Sequence, residues 1–183
     1  EARLRKEAED AARREENLVA ARAITLVEDA SLPNAVVAKI RDLEPLRGQR
    51  VRVSGWAHRL RRQGRQMLFL VLRDGTGFLQ CLLSERLCQT VEALQLNTEA
   101  SVTITGQLTA LSEQGGHTAP GGHELLADHW CLVANAPAGG ADSLLNAESD
   151  VDVQLDNRHM LLRGENQSRL VRLTSLAMKA FRD

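Results

Sequence analysis

The stretch RVRVSGWAHRLRRQGRQMLFLVLRDGTGFLQCLL, Arg50 to Leu83, decides the fold. From Met67 to Arg73 the residues alternate with strand periodicity, which sets Leu68, Leu70 and Leu72 on one face and Met67, Phe69, Val71 and Arg73 on the other. Asp74-Gly75-Thr76-Gly77 supplies the turn chemistry that sends the chain back. A hairpin symmetric about Gly75 and Thr76 places Arg73 opposite Phe78, Leu72 opposite Leu79, Val71 opposite Gln80 and Leu70 opposite Cys81. Both strands then agree on one core face, made of Leu68, Leu70, Leu72, Leu79, Cys81 and Leu83. The other face carries Phe69, Arg73, Phe78 and Gln80, with Phe69 and Gln80 as diagonal neighbours about 7–8 Å apart.

An aromatic ring beside a primary amide suits an unpaired nucleobase. The ring stacks on the base, at roughly 1–3 kcal/mol, while the amide donates to and accepts from its edge. The surrounding charge agrees with this. Between Lys39 and Arg73 the cations are Lys39, Arg41, Arg47, Arg50, Arg52, Arg59, Arg61, Arg62, Arg65 and Arg73, and the only acids are Asp42 and Glu44. The whole chain has a formal net charge of −1, so the basicity is local. A solvated sheet face, with Phe69 packed under a loop, would use the same residues. What favours nucleic acid is the arrangement, a basic strand running into an aromatic hairpin.

Upstream, Val51 and Val53 are expected to point inward and Arg52 outward, with a bulge or bend at Gly55. Simple alternation from Val51 would bury Arg61; a bulge at Gly55, or a loop starting near Arg59, exposes it, and exposure is the expectation. Downstream, Ser84 is placed to cap a short helix over Glu85 to Leu94, with Leu87, Val91 and Leu94 spaced as a plug. Ser101 to Leu108 reads as a strand with Val102, Ile104 and Gly106 on one face. Ser112 to Gly122 is a polar, glycine-rich loop, and His123 to Val133 returns as a closing strand. Five strands with a helix after the third predict a mainly β chain built on an OB-fold barrel, whose second and third strands bind single-stranded nucleic acid.

The flanks predict a charged helical extension over residues 1–23 and a linker over 24–48, in which Val36, Val37 and Ile40 pack beneath the barrel. The barrel itself takes residues 49–136, and a linker and hinge follow over 137–164, including PAGGAD and an acidic run from Glu148 to Asp156. Residues 165–183 read as a helix capped by Asn166, with Leu170, Leu173, Ala177 and Phe181 on one stripe. Broadened by Val171, Leu176 and Met178, that surface expects a covering partner.

Composition narrows the function classes. The chain has no apolar run of about 18 residues and no charged-then-apolar leader, so the expectation is a cytoplasmic protein without a membrane span. Three cysteines without Cys-x-x-Cys spacing argue against a disulfide framework or zinc knuckle. His117, His123 and His129 surround Cys131 with metal-ligand chemistry, but alternation along one strand accounts for them, so no metal is expected. No glycine-rich phosphate loop or nucleophile triad is present.

The strings GWAHRLRRQG, FLVLRDGTGFLQC, APGGHEL, APAGGAD and ESDVDVQLDNRHMLLRGEN resemble the amino-terminal part of eukaryotic cytosolic asparaginyl-tRNA synthetases, a family of class II aminoacyl-tRNA synthetases. The resemblance runs from about Lys39 to Asp183. It implies an anticodon-binding OB domain in which Phe69 stacks on the middle uridine, Gln80 hydrogen bonds to it, and Arg61, in the loop before the second strand, assists. Arg59, Arg62, Arg65 and Arg73 are the expected phosphate contacts. The resemblance further implies tRNA(Asn) as partner, ATP and magnesium as cofactors of the parent enzyme alone, and a homodimer formed through motif 1, whose helix would open at residues 165–183. Motifs 2 and 3 have no counterpart here, so the chain by itself is expected to lack ligase activity. Two other classes fit the residues: a stand-alone OB protein that binds single strands without sequence preference, and an interaction module docking by its terminal helix.

Overall fold

The computed structural model describes residues 15–111, 119–137, 145 and 149–183. The first 14 residues of the expected extension, most of the Ser112 to Gly122 loop with His117, and PAGGAD beyond Pro137 lie outside the described residues. The chain divides into two compact units, Glu1–Pro137 and Ala138–Asp183.

The first unit is a closed barrel. Its strands are β2 (Arg50–Gln63), β3 (Met67–Arg73), β4 (Phe78–Ser84), β5 (Ser101–Ala110) and β6 (His123–Ala134). They run in the order β2-β3-β4-β6-β5, and β5 pairs back onto β2. The β4–β6 contact is parallel and the other four are antiparallel. A two-residue strand, β1 (Val36–Val37), adds in parallel beside β2. The chain is thus mainly β with the five-stranded OB architecture its alternation predicts.

The hairpin has the expected register, with Arg73 opposite Phe78, Val71 opposite Gln80 and Leu70 opposite Cys81. Every residue of its predicted core face, from Leu68 through Leu83, is buried. Asp74 closes the turn: Oδ1 accepts from the Thr76 amide at 2.8 Å and hydroxyl at 2.7 Å, and Oδ2 accepts from the Ile40 amide at 2.8 Å. The same carboxylate therefore shapes the hairpin and fastens the preceding segment to it.

Several local expectations are corrected. Gly55 is not a bulge: it pairs regularly with Val102, and glycine is required because a Cβ would lie 2.5 Å from the Arg73 carbonyl oxygen. The register shift falls between Ala57 and Arg59. Ile40 and Leu43 join the core, whereas Val36 and Val37 are exposed on their edge strand. Ser84 makes no cap; the chain forms a 3-10 turn at Glu85–Cys88, and Thr90 caps α2 (Val91–Leu94) by accepting from the Ala93 amide at 3.1 Å. Cys88 and Ala93 are buried in the core and Leu87 packs against it as expected, whereas Val91 and Leu94 are outside the core cluster. Residues 15–22 are helical (α1) and bury Ala21.

The second unit holds α3 (Val151–Asp156), α4 (Arg158–Leu161) and α5 (Glu165–Ala180), so the stretch expected to be linker and hinge contains two short helices that its composition does not announce. Gly164 stands at the N-cap of α5, and Asn166 lies inside the helix. Leu170, Leu173, Leu176, Met178 and Phe181 are exposed.

Candidate nucleic-acid interface

The bulge at His58 builds the interface. Upstream of it, Val51, Val53 and Ala57 point into the core; one extra residue then inverts the parity, so Arg59, Arg61 and Gln63 turn outward while Leu60 and Arg62 turn the other way. Arg61 is therefore exposed as expected, but on a continuous strand that reaches Gln63 and not in a loop.

Outward residues of β2, β3 and β4 line a cleft of about 580 Å³ containing Arg59, Arg61, Phe69, Gln80 and Glu124, with Met67, Val71, Leu82 and Leu111 as apolar wall. Arg61 pairs across from Phe69 and holds its guanidinium carbon 4.8 Å from the ring centroid. Gln80 donates from Nε2 to Glu124 Oε2 at 3.1 Å. A carboxylate accepts only from the NH₂ side of an amide, so this contact fixes the amide's flip. Oε1 and the second Nε2 hydrogen make no hydrogen bond among the described residues. The cleft thus brings together an aromatic ring, a side-chain amide and two guanidinium groups. No described carboxylate lies within ion-pair distance of Arg59 or Arg61.

Three predicted phosphate contacts do not join this set. Arg73 is on the outer face but donates to both oxygens of Glu99 at 2.8 and 2.9 Å, and its side chain is 12% exposed. Its guanidinium also covers Trp56, 5.4 Å from the ring centroid. Arg62 reaches the carbonyls of Cys88 and Ala93 on the opposite side of the strand. Arg65 lines a separate cavity of about 460 Å³ with Arg62, Gln66 and the α1 residues Asn17, Ala20 and Ala21. Phe78, also on the outer face, packs on His58 at 5.0 Å between ring centroids.

Glu124 is the residue that sequence reading missed. It sits beside Gln80 only because β6 pairs in parallel with β4, a long-range closure that leaves no local periodicity to read. Next to it, His123 is buried, with burial as the main cause of a pKa held below the usual histidine value and Arg47 acting in the same direction. Among the described residues no group of three or more His, Cys, Asp or Glu could hold a metal.

Comparison with known proteins bears on the fold and the family. Residues 51–132 match the tRNA anticodon family of OB-fold nucleic acid binding domains. Human cytoplasmic asparagine–tRNA ligase is 56% identical over all 183 residues, which cover 33% of that protein. The close homologues of this chain are cytoplasmic asparaginyl-tRNA synthetases. The Saccharomyces cerevisiae cytoplasmic asparagine–tRNA ligase is 45% identical over 180 residues, 97% of this chain and 31% of the relative. Among solved structures, the Entamoeba histolytica asparaginyl-tRNA synthetase in complex with asparaginyl-adenylate superposes with a TM-score of 0.70 at 29% identity, over 81% of this chain and 35% of that one. The chain spans about a third of the length of these synthetases.

Proposed function

We propose that residues 49–136 are the anticodon-binding domain of a cytoplasmic asparagine–tRNA ligase, and that this cleft reads tRNA(Asn) for ATP-dependent aminoacylation by the parent enzyme. The observation that carries the reading is the convergence of Phe69, Gln80, Arg59 and Arg61 in one cleft on the face where an OB barrel takes single strands. Arg59 and Arg61 attract the phosphates, and Phe69 stacks on the splayed-out middle base. Gln80, held by Glu124, presents its acceptor and remaining donor to a base edge that offers a matching donor and acceptor, as uridine does at N3–H and O4.

On this reading residues 165–183 open the motif 1 helix, whose exposed apolar face is covered by the partner in the parent homodimer. ATP and magnesium belong to the parent's catalytic domain. The test is binding of the purified chain to an anticodon stem-loop of tRNA(Asn) and to the same stem-loop with its middle base changed. The cognate RNA should bind more tightly, and Gln80→Ala should weaken it more than the altered one, because a lost base-edge hydrogen bond relaxes discrimination. Equal binding of both RNAs by the parent chain would instead favour a non-specific single-strand binder. Asparagine-dependent pyrophosphate exchange into ATP by the chain, above a protein-free control, would refute the division of labour.

A further inference from the structure

The tip joining β2 to β3 carries the cleft's outermost groups and is lightly held. Gln63 and Met67 are its last pair, Gly64 turns it at φ 63°, and residues 61–66 are all exposed. Its described attachments to the rest of the barrel converge on the segment Glu85–Leu94. The Gln66 carbonyl accepts from the Glu85 amide at 2.8 Å, and the Arg65 carbonyl lies 3.5 Å from the Cys88 sulfur, whose single S–H has the Glu85 carbonyl nearer at 3.2 Å. Arg62 makes the remaining attachment, one guanidinium donating to the Cys88 carbonyl at 3.3 Å and to the Ala93 carbonyl.

Arg62 precedes the tip on the strand face opposite Arg61, and the two share a peptide bond. An anchor on one face therefore sets the height and twist at which Arg61 leaves the other, and with it the contact between Arg61 and the Phe69 ring. Although Arg62 as a residue is exposed, its guanidinium is tucked against backbone carbonyls, and lost hydration pushes its pKa below the usual arginine value. A cation so placed is turned away from any phosphate in the cleft.

We infer that Arg62 is a positioning residue for RNA recognition, a guanidinium latch that holds the β2–β3 tip so that Arg61 and Phe69 meet the base in register. The inference rests on reading the cleft as an RNA interface. It also separates Arg62 from Arg59 and Arg61, which act by charge. Lysine cannot replace the latch, since a single ammonium lacks the planar fork that spans two carbonyls.

The experiment measures binding of the 183-residue chain to the asparagine anticodon stem-loop across a range of salt concentrations. Arg62→Lys and Arg62→Met should both weaken binding about five- to tenfold by loosening the site's geometry. Neither should change the slope of log affinity against log salt, whereas Arg61→Met should reduce that slope by about one. Thr90→Val removes the α2 cap beneath Ala93 without altering charge, and should weaken binding in the same slope-preserving way, also deciding the matter if the Arg62 variants do not fold. Parent-like binding by Arg62→Lys with a reduced slope in Arg62→Met would make Arg62 a phosphate contact and overturn the latch. Unchanged affinity in both Arg62 variants, or in Thr90→Val where they do not fold, overturns it too. Failure of the parent chain to bind the stem-loop would overturn the RNA reading, and the latch with it.

Discussion

The two ends of β2 carry the same residue type in opposite circumstances. At its start, Arg50 is buried and donates to Asp128 through Nε and Nη2, both at 2.8 Å, and to Glu28 at 3.0 Å, while Arg52 donates to both oxygens of Glu28 at 2.8 Å. The hydrogen bonds to Asp128 lead in raising the Arg50 pKa above the ordinary arginine value, against the opposing effect of burial. Past the bulge, Arg59 and Arg61 border an open cleft and form no ion pair with a described carboxylate, Glu124 in the same cleft included. An arginine neutralised inside the fold contributes to stability and is lost to ligands; one without a counter-charge keeps its field for an anion. The positive charge of a segment therefore overstates its capacity for RNA unless the partnered arginines are subtracted.

The comparison breaks most readily at Arg50. Replacing it with Met strands Asp128, while Glu28 keeps Arg52; because Asp128 keeps 27% of its side-chain surface, the expected loss is about 2–3 kcal/mol, near the low end for a broken buried pair. Urea unfolding measures it, and the RNA salt slope of the folded protein should not change. A reduced slope with unchanged stability would show Arg50 to be a ligand contact.

At the cleft end, Phe69→Ala should cost about 2 kcal/mol of RNA binding through lost stacking, for any middle base. Its unfolding free energy should fall by about 1 kcal/mol or less, since the ring packs on the outer face. If the domain unfolds while the folded fraction binds RNA normally, the ring belongs to the core.

Arg61→Met sharpens the contrast with Arg50. It should weaken RNA binding by about 1 kcal/mol and leave the urea midpoint in place, the reverse of the Arg50 pattern. Matching stability losses in the two variants would erase the distinction between the ends of β2.

The smallest effect concerns pH. His123 is held neutral by burial and by Arg47, opposed by the backbone contact with Gly121 and by Glu44. Its folded pKa lies below the unfolded one, so the unfolded chain binds the proton first. The stability it contributes is present above about pH 6.5 and declines as pH falls toward the folded pKa. His123→Leu should flatten stability against pH across that window, read by urea unfolding at a series of pH values. An unchanged curve would mean that another group carries the dependence.

Much of the hairpin was legible in the sequence because its information is local. Alternation with period 2 sorts Leu68, Leu70 and Leu72 from Phe69 and Val71, and Asp74-Gly75 sets the register, so the outward pairing of Phe69 with Gln80 follows from nearby residues alone. The cap detail failed: Ser84 is the cap expected from the sequence, but a 3-10 turn follows it and Thr90 caps α2, next to Ala93 in the core.

By itself, then, the sequence determined the hairpin's core face, the strand order along the chain and the outward placement of Phe69 and Gln80, all consequences of side-chain period and turn chemistry. Tertiary structure alone decided which arginines stay available. The bulge at His58 inverts β2's parity, Glu99 neutralises Arg73 from 26 residues away, the carbonyls of Cys88 and Ala93 engage Arg62, and barrel closure sets Glu124 beside Gln80. The physical reason is that a charge's role depends on what lies within a few ångströms of it, and those neighbours are brought together by chain closure and not by position in the sequence.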